Sequence, residues 1–222
     1  MLVRNWMTKE VVTVSPETSL LKIGKLLRDH KIRRLPVVDT SGKVIGIISD
    51  RDVRDASPSK ATTLDMYEMH YLLAEIKASD IMTPTPLCVK PTDTVENAAM
   101  AMLDNRIGGL PVVDDDGKMV GILADHDVFK ALVNITGVRE GGIQLGLSVP
   151  NVQGGMRPVF DILRKHGARI LSVLSSNNDA GERNIFLRIR NLESRKAEED
   201  LVDEVRSVCN LLYWARNEVH LE

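Results

Sequence analysis

The strongest constraint on this chain is that part of it is written twice. Residues 7–53 align without a gap on residues 82–128 at a constant offset of 75, and about 18 of the 47 paired positions are identical. The densest block sets Leu35-Pro36-Val37-Val38-Asp39 and Gly46-Ile47 against Leu110-Pro111-Val112-Val113-Asp114 and Gly121-Ile122. A repeat of this kind is a supersecondary unit that cannot bury its apolar face alone. Roughly 50 residues also bury too little of their unfolded surface to be stable by themselves. The two copies are therefore expected to pack on each other.

Each copy follows the same order. A short apolar run, residues 11–14 or 87–89, reads as a strand ending at Pro16 or Pro91, because proline has no N–H for a ladder. A helix follows, with Thr18 or Ser19 and Asp93 or Thr94 as N-caps, and with Leu20, Ile23, Leu26 and Leu27 at helical spacing. Residues 35–38 and 44–48 read as a hairpin closed by Asp39-Thr40-Ser41-Gly42, matched by Asp114-Asp115-Asp116-Gly117, whose final glycine can take positive φ. A second helix opens at Asp50-Arg51-Asp52-Val53 or Asp125-His126-Asp127-Val128, with acids where the helix dipole favours them. Each copy is βαββα, over residues 1–56 and 81–137. Between them, in residues 57–80, Ala61-Thr62-Thr63 followed by Leu64, Met66, Tyr67, Tyr71 and Leu72 predicts an amphipathic linker helix against the pair.

Beyond Arg139-Glu140-Gly141-Gly142, which reads as a hinge, the pattern changes. Residues 143–149 alternate as a strand, and 158–166 form a helix ending at Gly167. Residues 170–174 and 185–189 are strands around Asn177-Asn178-Asp179-Ala180-Gly181. A charged amphipathic helix over 193–208 and a short strand over 211–214 complete the chain. The order βαββαβ over 143–222 is a ferredoxin-like layout. The predicted class is mixed α/β: a tandem βαββα pair followed by a ferredoxin-like domain.

Hydrophobic residues make up 43% and charged residues 27% of the chain, enough apolar surface for packed cores. The formal net charge of -2, with scattered basic residues, lacks the footprint of a nucleic-acid binder. Cys88 and Cys209 belong to no CxxC or Cys/His cluster and are expected to be buried reduced thiols. No apolar run approaches the roughly 20 residues of a membrane span, and the first residues lack a signal-peptide core. The expected location is the cytoplasm.

The Met-Thr opening, the Leu-Pro-Val-Val-Asp block, the Gly-x-Val/Ile-x-Gly-Ile strand and the acidic helix start resemble the CBS domain, and two in tandem resemble a Bateman module. The resemblance covers roughly residues 1 to 135. It implies that AMP, ADP, ATP or S-adenosylmethionine binds in clefts between the copies as a regulatory ligand, with no cofactor required. Nucleotide-binding positions carried over from it are Arg33, Arg34, Ile47, Ser49, Asp52 and Asp127. The chemistry is sound: a carboxylate such as Asp52 accepts from both ribose hydroxyls, Ser49 can donate to phosphate, and guanidinium forks fit phosphate oxygens. The alternatives stay open that Asp50 and Asp52 only cap a helix and that Arg33 and Arg34 are solvated ends. In the second copy Ala124 replaces the serine and Gly108-Gly109 replace the arginines, so one principal and one altered cleft are expected.

Val149-Pro150-Asn151-Val152-Gln153-Gly154-Gly155, leading to a helix and then Gly167-Ala168-Arg169-Ile170, is similar to ACT domains. The resemblance implies an amino acid bound at Asn151, Gly154 and Gly155, where glycine lets a ligand approach the backbone; a tight chain reversal would need the same glycines. The order CBS, CBS, ACT resembles the acetoin-utilisation AcuB-type regulatory proteins and implies a homodimer acting on a protein partner.

An enzyme is not expected. There is no nucleophile elbow, Walker lysine motif or GxGxxG after a strand, so no catalytic residue is assigned. The five histidines, His30, His70, His126, His166 and His220, form no constellation, and no metal site is expected, since His126 and its neighbouring aspartates do not face one another on a helix. Two readings remain: a ligand-sensing regulator, and a structural interaction protein whose clefts have lost their ligands.

Overall fold

A computed structural model describes residues 1–57, 65–178, 181–190, 192–216 and 219–221. The chain divides into two compact units, Met1–Phe129 and Lys130–Glu222.

In the first unit, helix α1 (Leu20–Asp29) starts at Ser19, whose side chain accepts from the Lys22 N–H. Strands β1 (Arg34–Val38) and β2 (Val44–Ser49) form an antiparallel hairpin that leads into α2 (Asp50–Asp55). Asp39 Oδ1 accepts from Ser41 N, Ser41 Oγ and Lys43 N at 2.8, 2.7 and 3.0 Å, which fixes the hairpin turn. After α3 (Met66–Glu75), α4 (Ala78–Ile81) and β3 (Thr83–Pro84), the second copy repeats the sequence of elements. Its parts are α5 (Val95–Asp104), capped by Thr94, the hairpin β4 (Gly109–Val113) and β5 (Met119–Ala124), and α6 (Asp125–Ile135), within which the first unit ends at Phe129.

The predicted first strand of each copy shrinks to a single parallel bridge, Val14 to Val37 and Val89 to Val112. The cause lies in the partner strand. Pro36 accepts from Val14 N through its carbonyl, and Pro111 likewise from Val89 N. The N–H that would extend each ladder on that same edge is the one proline lacks.

The copies exchange their openings. Thr8 pairs with Ile122 of the second copy, and Thr83 pairs with Ile47 of the first, positions related by the same offset of 75. The cores are shared accordingly. Ala78 joins Ile23, Leu35, Val37 and Ile48, while Val3 joins Ala98, Leu110, Val112 and Leu123.

The linker differs from expectation. Ala61 to Leu64 lie outside the described residues. Helix α3 starts at Asp65 in a reciprocal capping box with Glu68. It runs beside α1, yet Tyr67 is 87% and Tyr71 67% exposed, so the aromatic residues expected to pack against the pair face solvent.

The second unit contains β6 (Ile143–Val149), α7 (Arg157–Lys165), β7 (Arg169–Asn177), β8 (Arg183–Arg190), α8 (Arg195–Val208), β9 (Asn210–Ala215) and β10 (Val219–Leu221). The antiparallel sheet has the order β10-β9-β6-β8-β7, a ferredoxin-like arrangement with one added edge strand. Its core sets Leu145, Leu147, Leu187 and Ile189 against Val159 and Leu163 of α7 and Leu201 and Val205 of α8. The expected turn residues Asp179 and Ala180 lie outside the described residues. Cys88 and Cys209 are free but half-buried rather than buried, and the partial burial raises both thiol pKa values.

Candidate functional site

A cleft of about 680 Å³ opens in the first unit where the two copies meet. From the first copy it takes Arg33 and Arg34 at the start of β1, Ile47 and Ser49 of β2, and Asp52 of α2. The second copy supplies Thr83, Thr85 and Leu87 from the exchanged opening, and Asn105, Arg106 and Gly108 from the turn after α5. Five of the six nucleotide positions implied by the sequence are thus brought together. Asp127 is not among the residues lining this cleft.

Asp52 has two functions in this geometry. Its Oδ2 accepts from Ser49 N and from Ser49 Oγ, both at 2.7 Å, and Ser49 Oγ in turn accepts from Asp52 N at 3.3 Å. Of the two acids read as helix caps, Asp52 thus closes a capping box with Ser49, while Asp50 lies in the first turn. The second carboxylate oxygen of Asp52, Oδ1, makes no bond to a described residue, so the same side chain retains an acceptor at the cleft. Asp127, its counterpart in the second copy, is 5% exposed and accepts from Ala124 N at 3.0 Å, Ala124 standing at the position that matches Ser49.

The glycines that replace the arginine pair prove to be space as well as loss. A Cβ on Gly108 would overlap Arg34 Nη2, and one on Gly109 would lie 3.3 Å from Arg34 Cδ. Small residues in the second copy therefore let the first copy's Arg34 lie across the cleft wall.

Thr85 has φ 47°, the left-handed region that a β-branched residue rarely adopts, and its N–H donates to Ile45 O at 3.1 Å. A strained residue held at a cleft is a recurrent feature of binding sites. Sequence reasoning missed Thr83, Thr85, Leu87 and Arg106. They become visible only when the openings are exchanged between copies.

The second unit has its own cavity, of about 430 Å³, formed by the 150–156 loop between β6 and α7 with Arg157, Phe160 and Asp161 of α7 and Arg183 of β8. Asn151, Gly154 and Gly155 all line it. Gly154 has φ 78°, and a Cβ on Gly155 would stand 2.9 Å from Pro150 O, so the tight reversal itself requires this glycine pair. Asp161 is paired with Arg164 at 3.0 Å.

Among the described residues, no cluster of three or more His, Cys, Asp or Glu could hold a metal, and no helix is long and apolar enough to cross a membrane.

Fold and cleft together define a paired βαββα module, with exchanged openings and a cleft built from both copies, joined in sequence to a ferredoxin-like unit. The chain belongs to the CBS-domain family, whose profile matches residues 3–59 and 78–134, just over half the chain. It is similar to the structure of CBSX2 in complex with AMP, a protein of Arabidopsis thaliana, at 33% identity and TM-score 0.51, covering 60% of this chain and 97% of that one. It is also similar to the CBS domain pair of protein MJ0100 in complex with 5-methylthioadenosine and S-adenosyl-L-methionine, at 28% identity and TM-score 0.50, covering 60% and 95%. A Vibrio cholerae protein named for acetoin utilization (AcuB) matches at 28% identity and TM-score 0.52, covering 63% of this chain and 96% of that chain.

Proposed function

We propose that this chain is a non-catalytic regulatory protein that senses an adenosine nucleotide or derivative in the cleft of its CBS pair and thereby modulates a protein partner. The observation that carries this reading is Asp52: a ribose-type carboxylate with a spare oxygen, set in a cleft of about 680 Å³ beside arginines. Ligands of the similar pairs, AMP in one and S-adenosylmethionine in another, share the adenosine group that such a carboxylate recognises. Arg33, Arg34, Ile47, Ser49 and Asp52 form the principal site, with Asp127 marking the altered one. The domain extents we assign are 1–56 and 81–137 for the CBS copies, 57–80 for the linker and 143–222 for an ACT-type domain. The protein acts in the cytoplasm as a homodimer.

A second ligand is favoured by the cavity in the second unit. Arg157 and Arg183 line it without an ion-pair partner among the described residues, and Phe160 and Val152 give it an apolar side. That combination suits the carboxylate and side chain of an amino acid, bound at Asn151, Gly154 and Gly155.

Calorimetric or thermal-shift titration of the full chain with AMP, ADP, ATP and S-adenosylmethionine tests the main reading. A bound ligand at 100 times its Kd adds about 2.7 kcal/mol of stability. Asp52→Ala is expected to abolish binding at the principal site, and Asp127→Ala to have a smaller effect. No response to any adenosine compound would favour a purely structural interaction protein with degenerate clefts. Equal losses in the two variants would reverse the ranking of the clefts.

A further inference from the structure

The second unit buries a cation without a counter-charge. Arg188 lies on the interior strand β8 between Leu187 and Ile189, whose side chains enter the core beneath α7 and α8. Strand alternation sends Arg188 to the opposite face, beside Ser172 of β7 and Gln144 of β6. Residues 136–142 close over it. Ser172 Oγ donates to Thr136 O at 2.9 Å, Arg188 Nη1 donates to Gly141 O at 3.5 Å, and a Cβ on Gly137 would stand 3.7 Å from Arg188 Cδ. Arg188 is left 8% exposed. Among the described residues no carboxylate lies within ion-pairing distance of it, and its Nε has no hydrogen-bond partner. Arg190, on the same face, pairs through Nη1 with Glu140 at 3.4 Å, but its Nε is likewise buried without a partner. Tyr213 of β9 is close by: burial holds its hydroxyl pKa above the ordinary value, and the Arg188 charge acts against that push.

A guanidinium keeps its proton, so neutralisation cannot relieve its burial. Removing it from water is costly, and a carboxylate brought against it offsets much of that cost. With Nη1 turned to Gly141 O, the edge of Arg188 left over is formed by Nε and Nη2, the fork that a planar carboxylate meets with both oxygens. Arg190 follows about 7 Å further along the strand. The cover has glycine at both ends, Gly137 and Gly142, where the backbone turns with little steric resistance.

We infer that the face of this sheet opposite α7 and α8 holds a carboxylate-binding site, with Arg188 as the bidentate partner, Arg190 and Tyr213 beside it, and residues 136–142 as its cover. The ligand class is a small organic carboxylate, recognised through its oxygens and needing neither an amino group nor an adenosine. The site stands toward the end of β8 remote from Arg183, which lines the cavity at Asn151, Gly154 and Gly155. It depends neither on adenosine sensing nor on an amino acid in that cavity.

Scanning calorimetry of the full chain in succinate and in chloride, at matched ionic strength, tests this inference. Succinate near saturation is expected to raise Tm by about 2 to 4 °C over chloride. Arg188→Met, which removes the buried charge at similar length, should lose that response. Arg188→Lys keeps the charge without the fork and should lose most of it, and decides the matter alone if the methionine variant does not fold. Arg34→Gln and Arg157→Gln, which alter the cleft of the first unit and the 150–156 cavity, should keep the response. No rise in the parent protein, or a rise retained in full by the Arg188 variants, would overturn the inference. So would its loss in Arg157→Gln or Arg34→Gln, which would place the carboxylate in one of the other two sites.

Discussion

Gly46 and Gly121 are glycines because a methionine occupies the place of a side chain. A Cβ on Gly46 would overlap Met82 Sδ and stand 2.9 Å from its Cγ, and one on Gly121 would overlap Met7 Sδ and stand 3.0 Å from its Cγ. Each methionine opens the Met-Thr segment of the opposite copy, so the glycine on one repeat and the methionine on the other form one lock. Gly46→Ala is expected to destabilise the chain by about 1 to 3 kcal/mol, the usual cost of overpacking, measured by urea unfolding. Pairing it with Met82→Ala, which makes room for the added carbon, should give a total loss smaller than the sum of the two single losses. Simple additivity would mean that the lock does not exist. Both glycines and both methionines stand out in the aligned sequence, but nothing along the chain says that they meet.

At the scale of elements, the second unit is tied together where α7 ends. Lys165 Nζ donates to Glu204 Oε1 at 2.8 Å, and His166 Nε2 lies 2.8 Å from Glu204 Oε2, joining the last turn of α7 to α8. These contacts, Lys165 first and His166 second, hold the Glu204 carboxyl below its ordinary pKa of 4.5. A carboxyl lowered in the folded state contributes stability above its unfolded pKa, and that contribution is lost as pH falls through the folded value. Glu204→Gln should therefore lower Tm at about pH 7, and the difference from the parent protein should vanish as pH falls through the carboxyl's lowered folded value. A difference that persists unchanged into acid would assign the effect to packing instead. The helices themselves follow from apolar spacing and from caps such as Ser194, which accepts from Ala197 N. By contrast, the first strand of each copy is shorter than its apolar run suggests, because Pro36 and Pro111 on the partner strand interrupt the ladder.

At the scale of the whole chain, the repeat was legible at once, and with it the order of elements, the hairpin turns and the expectation of two unlike clefts. The ferredoxin-like order of the second unit was equally legible, since strand alternation and helical spacing are local patterns. Dimerisation belongs to this scale. The nine-residue strand β7 is an edge of its sheet, with Ile170 39% and Val173 47% exposed, and long unpaired edges invite a partner strand. Sedimentation at micromolar concentration is expected to show a dimer, and a monomer throughout would refute the assembly we propose. What the sequence determined by itself was whatever depends on near neighbours: repeat, caps, turns, amphipathic faces and the acidic helix start at Asp50 and Asp52. Tertiary structure alone decided that the openings cross between copies, that Arg34 lies over Gly108 and Gly109, and that Arg106 and Thr85 belong to the same cleft as Asp52. The reason is physical. Periodicity records which face of an element is apolar, whereas a cleft is fixed by which distant segments fill one another's gaps.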